Sequence, residues 1–202
     1  MNPVEISRRE RKKDETRERI NQAALQLFDQ KGFDATTVDE IVAAADVAKG
    51  TFFNYFPRKE AALAVICERQ VEGLEQFVDG LIDDARPVRE KLLDTFAFGA
   101  QQHAADPALH RHSIVELLRG SLEDAININE RVQSSVGRLV QQGCERGEFR
   151  SDVPVERLTY VLRGVFFMTM LVWLHCPELF DFKTEIQARM SIALDGLAAG
   201  AR

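Results

Sequence analysis

One stretch, Thr36–Lys59, constrains the fold of this 202-residue chain more than any other; it reads TTVDEIVAAADVAKGTFFNYFPRK. Thr37 followed three residues later by Glu40 has the pattern of a capping box. The hydroxyl accepts from the backbone N–H of residue 40, and the carboxylate reaches back to the N–H of residue 37. Val38, Ile41 and Val42 then make an apolar stripe at helical spacing. The stripe stops at Asp46-Val47-Ala48, and a second helical pattern begins at Lys49. Phe52 and Phe56 stand four residues apart and share its inner face, where Val47 is expected to join them. Lys49, Gly50, Phe53 and Asn54 fall on the opposite face. Two short helices around a three-residue bend, the second presenting a small outward surface with one cation and one amide, have the geometry of a helix-turn-helix. In that motif the second helix enters a major groove.

The rest of the chain is helical in rhythm. Asp14–Lys31 is read as a first helix, acidic near its start and striped by Ile20, Ala23, Ala24, Leu27 and Phe28, with Gly32 as its stop. Pro57 is read as opening a long fourth helix that ends before Pro87. Val88–Ala105, Pro107–Arg119, Asp124–Arg146, Val155–His175 and Glu185–Leu197 follow. These patterns predict an all-α fold of about nine helices. Residues 1–57 form an N-terminal three-helix helix-turn-helix domain with a basic arm, and residues 58–202 form a C-terminal helical bundle. The arm, expected to be unstructured to residue 13, carries Arg8, Arg9, Arg11, Lys12 and Lys13. Val155–His175 is apolar on nearly all its sides, so it must be covered on all of them. One side is expected to meet its own domain and another a second copy of the chain.

Charge and cysteine content bear on function. The net charge of −6 looks wrong for a nucleic-acid binder, but residues 1–60 hold 11 Lys+Arg and 11 Asp+Glu, so the acidic excess lies beyond the helix-turn-helix. Cys67, Cys144 and Cys176 are odd in number and lack metal-type spacing, which suggests reduced thiols and a cytoplasmic protein. The charged N-terminus is unlike a secretory signal, and Val161–Leu174 contains Arg163 and is short for a bilayer span. His110 and His112 are two apart, a spacing that points the rings away from each other on a helix. No nucleophile, base or phosphate loop stands in a catalytic pattern, so neither an enzyme, a cofactor nor a metal is expected.

The residues Thr36-Thr37, Ile41, Ala44-Ala45, Val47, Lys49-Gly50-Thr51, Tyr55-Phe56, Lys59-Glu60 and Leu63 resemble the DNA-binding domain of the TetR (tetracycline repressor) family of transcriptional regulators. Two positions depart from that pattern. Asp46 stands where Gly is usual in the bend, and Phe53 stands where Tyr is usual in the second helix. The resemblance implies a ligand-responsive repressor that binds an inverted-repeat operator in double-stranded DNA as a homodimer, through helices near 155–175 and 185–197. It further implies release by a small molecule held in the second domain.

The DNA-facing set is then Thr37, Val38, Ala48, Lys49, Gly50, Thr51, Phe53, Asn54, Tyr55 and Lys59. Asn54 is suited to adenine and Lys49 to guanine; Tyr55 and Lys59 match the family's phosphate contacts. Phe96, Phe98, Gln102, His103, Leu117, Phe167, Met170 and Trp173 are the expected lining of the ligand site. A helical binding or scaffold protein whose DNA function has decayed is the alternative, with Asp46 and Phe53 as its support; a helical-bundle enzyme stands third.

Overall fold

A computed structural model describes residues 8–105, 107–119 and 122–200, with the side chains of all but 8–10, 64–66, 108, 116–119 and 122–126. Residues 1–7 of the expected arm and the side chains of Arg8, Arg9 and Leu117 lie outside the described residues. The helices are α1 (Arg8–Lys31), α2 (Val38–Ala44), α3 (Lys49–Tyr55), α4 (Ala64–Ile82), α5 (Val88–Ala105), α6 (Pro107–Arg119), α7 (Leu122–Glu145), α8 (Val155–His175) and α9 (Phe182–Leu197). Among the described residues there is no strand, only a single bridge between Phe149 and Ala198. The all-α fold expected from the periodicity is the fold observed.

Among the boundaries that differ from the sequence reading, three have a local reason; α7 shifts by only one or two residues at each end. Helix α1 begins at Arg8, so residues 8–13 are helical and not part of a loose arm. Arg, Lys and Glu are good helix formers, and Arg11 pairs with Glu15 one turn on, at 3.6 Å. Pro57 does not open α4. A 3-10 turn at Lys59–Leu63 intervenes, and its Ala62 and Leu63 are buried. Helix α9 starts at Phe182 because Asp181 caps it, its carboxylate accepting from the Thr184 N–H at 2.8 Å.

The chain divides into two compact units, Met1–Ile66 with His112–Arg119, and Cys67–Arg111 with Gly120–Arg202. In the first, Ile20, Ala24 and Phe28 of α1, Ile41 and Val42 of α2, and Phe52 of α3 are buried together with Phe33, Phe56 and Leu63. Apart from Leu27, Val38 and Val47, which are half-buried, this is the core read from the sequence.

In the second unit α5 packs on α7 and α9, and α8 packs on the same two helices. The buried residues include Leu92 and Phe96, Val136, Leu139 and Val140, Leu158, Leu162, Met170 and Trp173, and Ile186, Met190 and Leu194. A fully buried lysine sits among them. Lys91 donates to the Ile82 carbonyl at 3.3 Å and to Gln142 Oε1 at 2.9 Å, while Gln142 Nε2 donates to the same carbonyl at 2.9 Å. The ammonium thus lies at the carbonyl end of α4, where the helix dipole favours a cation. Glu148 completes the other side of the loop by accepting from the Val88 N–H at 2.6 Å, at the start of α5.

Helix α8 is covered on one side only. Leu158, Leu162, Met170, Trp173 and Leu174 are buried, but Tyr160, Val161, Phe167 and Met168 are exposed. At 21 residues it is long and apolar enough, by length and composition, to cross a membrane. Its bounds are those read from the sequence, where only the stretch Val161–Leu174 was weighed as a span.

Close packing makes one glycine indispensable. A Cβ on Gly143 of α7 would lie 2.2 Å from the Phe149 ring, which is itself buried. Overpacking of this kind costs about 1–3 kcal/mol, so Gly143→Ala is expected to lower the thermal midpoint by several degrees. Gly80→Ala on α4, where the added atom meets nothing within 4 Å, should leave it unchanged or higher; circular dichroism melts compare the two.

Candidate nucleic-acid interface

The start of α2 forms as its sequence predicts. Thr37 Oγ1 accepts from the Glu40 N–H at 3.3 Å, and the Thr37 N–H donates to Glu40 Oε2 at 2.9 Å. The Thr37 hydroxyl also donates to that carboxylate at 2.8 Å, and Lys31 reaches its other oxygen. Lys31, then Thr37, hold the Glu40 carboxyl well below its ordinary value, at about 2.

The bend after α2 closes through two crossed hydrogen bonds. The Asp46 N–H donates to Ala43 O at 3.3 Å and the Val47 N–H donates to Val42 O at 3.0 Å. This is the Schellman pattern, and it demands a left-handed residue just past the cap. Asp46 supplies it, with φ of +50°, and among the described residues no other non-glycine has a positive φ. Arg19 of α1 then braces the bend from below: its guanidinium donates to the Ala45 carbonyl and, at 2.7 Å, to the Asp46 carbonyl. The arginine was not among the residues singled out from the sequence. Its signal is a cation on the polar side of α1, which spacing alone cannot distinguish from a solvated charge.

The bend orients α3. Phe52 is fully buried and packs against Phe56 at 5.5 Å between ring centroids. That fixes which side turns out. Lys49, Gly50 and Asn54 are exposed, and Phe53 is 45% exposed with its ring edge-on to Phe52. A Cβ on Gly50 would meet nothing within 4 Å, so the helix can approach another body there without hindrance. Lys49 Nζ lies 2.7 Å from Asp39 Oδ1, which holds the cation beside α2. Ala48 and Thr37 are exposed on the approach side, and Val38, Thr51 and Tyr55 are half-buried at its margin. These nine residues lie at the two helix starts and on the outward face of α3, and each is exposed or half-buried there.

Lys59, the tenth, is used internally. Its ammonium donates to Phe33 O at 2.8 Å and Thr36 O at 2.9 Å, and sits 4.0 Å from the centroid of the Phe33 ring. An ammonium has three donors, so one remains for an outside acceptor.

In the second unit an aromatic cluster brings together part of the expected ligand lining. Phe166 of α8 is its hub, lying 5.7 Å from Phe96, 5.8 Å from His103 and 5.8 Å from Phe182. Phe182 stacks on Trp173 at 4.8 Å, and Phe98 stacks on Phe77 of α4 at 4.4 Å. Met170 is buried. Gln102 gives its backbone carbonyl to His110, at 2.9 Å. Phe167 points the other way and is 43% exposed on the outer side of α8. Phe77, Phe166, Gln70 and His110 also join these contacts and were not among the residues named from the sequence. An open hollow of about 400 Å³ between Gln141, Cys144 and Pro154 involves none of the expected residues.

Comparison with known proteins fits both parts of this geometry. Residues 20–65 match the model of the bacterial regulatory proteins, tetR family. The chain is 32% identical to the Thermus thermophilus FadR, a TetR-family transcriptional repressor solved in complex with lauroyl-CoA; the match covers 89% of this chain and 94% of that one, with a TM-score of 0.75. It is 44% identical over 198 residues to the HTH-type transcriptional regulator YerO of Bacillus subtilis (strain 168), covering 92% of this chain and 65% of that protein. It is 26% identical over 182 residues to the transcriptional repressor KstR2 of Rhodococcus jostii (strain RHA1), covering 87% and 88%.

The bend yields a stability prediction. A β-branched residue in the left-handed region costs about 1–2 kcal/mol, so Asp46→Val should destabilise the protein by that amount, whereas Asp46→Gly should stay within about 1 kcal/mol of the parent. Urea denaturation of the three proteins measures both differences.

Proposed function

The chain belongs to the TetR family of bacterial regulatory proteins, and on that premise we propose how its own residues carry out ligand-controlled DNA binding. Two copies of α3 enter successive major grooves of one duplex, roughly 34–36 Å apart or a multiple of it, so the operator is an inverted repeat. Asn54, Lys49 and Phe53 meet base edges: the amide suits adenine, the ammonium guanine, and the ring a thymine methyl. Gly50, Ala48 and Thr51 permit the close approach. Thr37, Val38 and Tyr55 lie against the sugar-phosphate backbone, with the free N–H groups at the start of α2 aimed at a phosphate. The remaining donor of Lys59 reaches a phosphate as well.

The observation that carries this reading is the outward face of α3: Phe52 is fully buried, and Lys49, Gly50, Asn54 and one ring, Phe53, are exposed together on the other side. Release of the operator when a small molecule binds, and a cytoplasmic location, follow from the same premise.

The dimer is supported by the uncovered side of α8. Met168 is 59% exposed and Val161 53%, with Tyr160 and Phe167 beside them, and Ile192 of α9 is 74% exposed. A contiguous apolar surface of this kind marks an interface. The effector is a small molecule with an apolar body, bound in the second unit among Phe96, Phe98, Gln102, His103, Met170 and Trp173. Long-chain acyl thioesters are the first class to test, because the 32%-identical repressor was solved with lauroyl-CoA. Effector binding releases the operator because the effector binds the DNA-competent and DNA-incompetent states with different affinity.

An electrophoretic shift assay with the DNA upstream of the protein's own gene tests the reading, and absence of any salt-sensitive, sequence-dependent complex would overturn it. In the same assay Asn54→Ala should cost about 1–3 kcal/mol of discrimination between operator and unrelated DNA. Tyr55→Phe should weaken both duplexes alike. For the interface, Val161→Glu with Met168→Glu should convert a dimer to a monomer in light scattering at micromolar concentration.

A further inference from the structure

His103 is a polar side chain that the fold leaves unanswered. Its ring lies on α5 against Phe166, at 5.8 Å between centroids, and edge-on to His110, at 4.8 Å. Its Nδ1 is buried and has no hydrogen-bond partner. Leaving such an atom unpaired costs about 1–3 kcal/mol, and a persistent case asks for an explanation.

The neighbouring histidine cannot provide the partner, because its ring nitrogens are already used. His110 Nε2 is 2.9 Å from the Gln102 carbonyl, which can only accept, so that nitrogen carries the proton. His110 Nδ1 is then the acceptor for Gln70 Nε2, at 3.0 Å. Burial, then the adjacent His110, push the His103 imidazole down to about 3. The ring is therefore neutral at physiological pH and offers one N–H and one lone pair. The rings gathered in this part of the unit are Phe96, Phe166 and, through Phe166, Phe182 and Trp173. The Phe166 ring is seated over Gly99, where a Cβ would lie only 3.2 Å from it.

We propose that His103 is the polar anchor of the effector site: its Nδ1 hydrogen-bonds an uncharged oxygen of an otherwise apolar ligand, for an acyl group the carbonyl, once the ligand displaces the Phe166 ring. The proposal rests on the reading that an apolar molecule binds in the second unit. It explains why a histidine persists in an aromatic cluster that a phenylalanine would fill. It also gives the ligand something to move, since parting Phe166 from Phe96 and His103 changes how α5 and α8 pack.

The chain's single tryptophan, Trp173, stacks on Phe182, which touches Phe166, so its fluorescence reports the displacement. Two probes are titrated into the full-length protein: lauroyl-CoA, and S-dodecyl-CoA, a thioether of the same chain length without the carbonyl. The parent is expected to bind the thioester about tenfold more tightly, one good hydrogen bond in affinity terms. In His103→Phe the two probes should bind alike. His103→Gln, which keeps a donor, should retain part of the preference and serves also if the Phe variant fails to fold. A tenfold preference that survives in His103→Phe, or that survives undiminished in the Gln variant when the Phe variant cannot be made, overturns the anchor while leaving an acyl effector in place. Equal binding of both probes by the parent does the same. Binding of neither probe by the parent overturns the acyl-thioester reading and the anchor together.

Discussion

The reading head depends on a single left-handed residue. Helices of seven residues, such as α2 and α3, do not persist alone in water. Their relative direction has to be set by the bend between them and by what they bury. The crossed hydrogen bonds around Asp46 set it, and the Arg19 guanidinium ties both carbonyls of the bend to the long α1. With the bend held, burying Phe52 leaves α3 no freedom of rotation, and the Lys49–Asn54 face turns outward as a consequence. Sequence specificity in this region is thus decided by backbone geometry before any side chain meets a base.

The second unit is held by a different logic. There the helices are long, and their ends are tied by polar groups that reach across the fold: Lys91 and Gln142 at the end of α4, Glu148 at the start of α5, and Arg89 to Ser191 and Asp195 on α9. Lys91 is fully buried without a carboxylate among its hydrogen-bond partners. It is tolerated because two oxygens and a helix terminus answer its charge. Within this frame α8 serves two surfaces, an inner one of Leu162, Met170 and Trp173 and an outer one of Tyr160, Val161, Phe167 and Met168.

Local chemistry was legible in the sequence, and long-range chemistry was not. The capping box at Thr37, the left-handed role of Asp46 and the full extent of α8 could all be read because each depends on neighbours within a turn or two. The exposed face of α3 followed from the buried position of Phe52 alone. Arg19, Lys59 and Lys91 were opaque because their partners lie 9 to 51 residues away. A lysine in a sequence carries no mark that says its ammonium will fold inward onto carbonyls. In α8, Phe166 and Phe167 differ by about 100° of helix: the ring turned inward onto Phe96, His103 and Phe182 is Phe166, and Phe167 is exposed. The start of α1 was missed because a basic run was read by its charge and not by its helix propensity.

Gly50 and Asn54 have no part in holding the first unit together. A Cβ on Gly50 would touch nothing, and the Asn54 side chain is exposed. The scaffold beneath them is complete without their contribution. A duplicated copy of such a gene can therefore drift at these positions without a folding penalty. Evolvability of this sort follows from an outward face that carries none of the weight of the core.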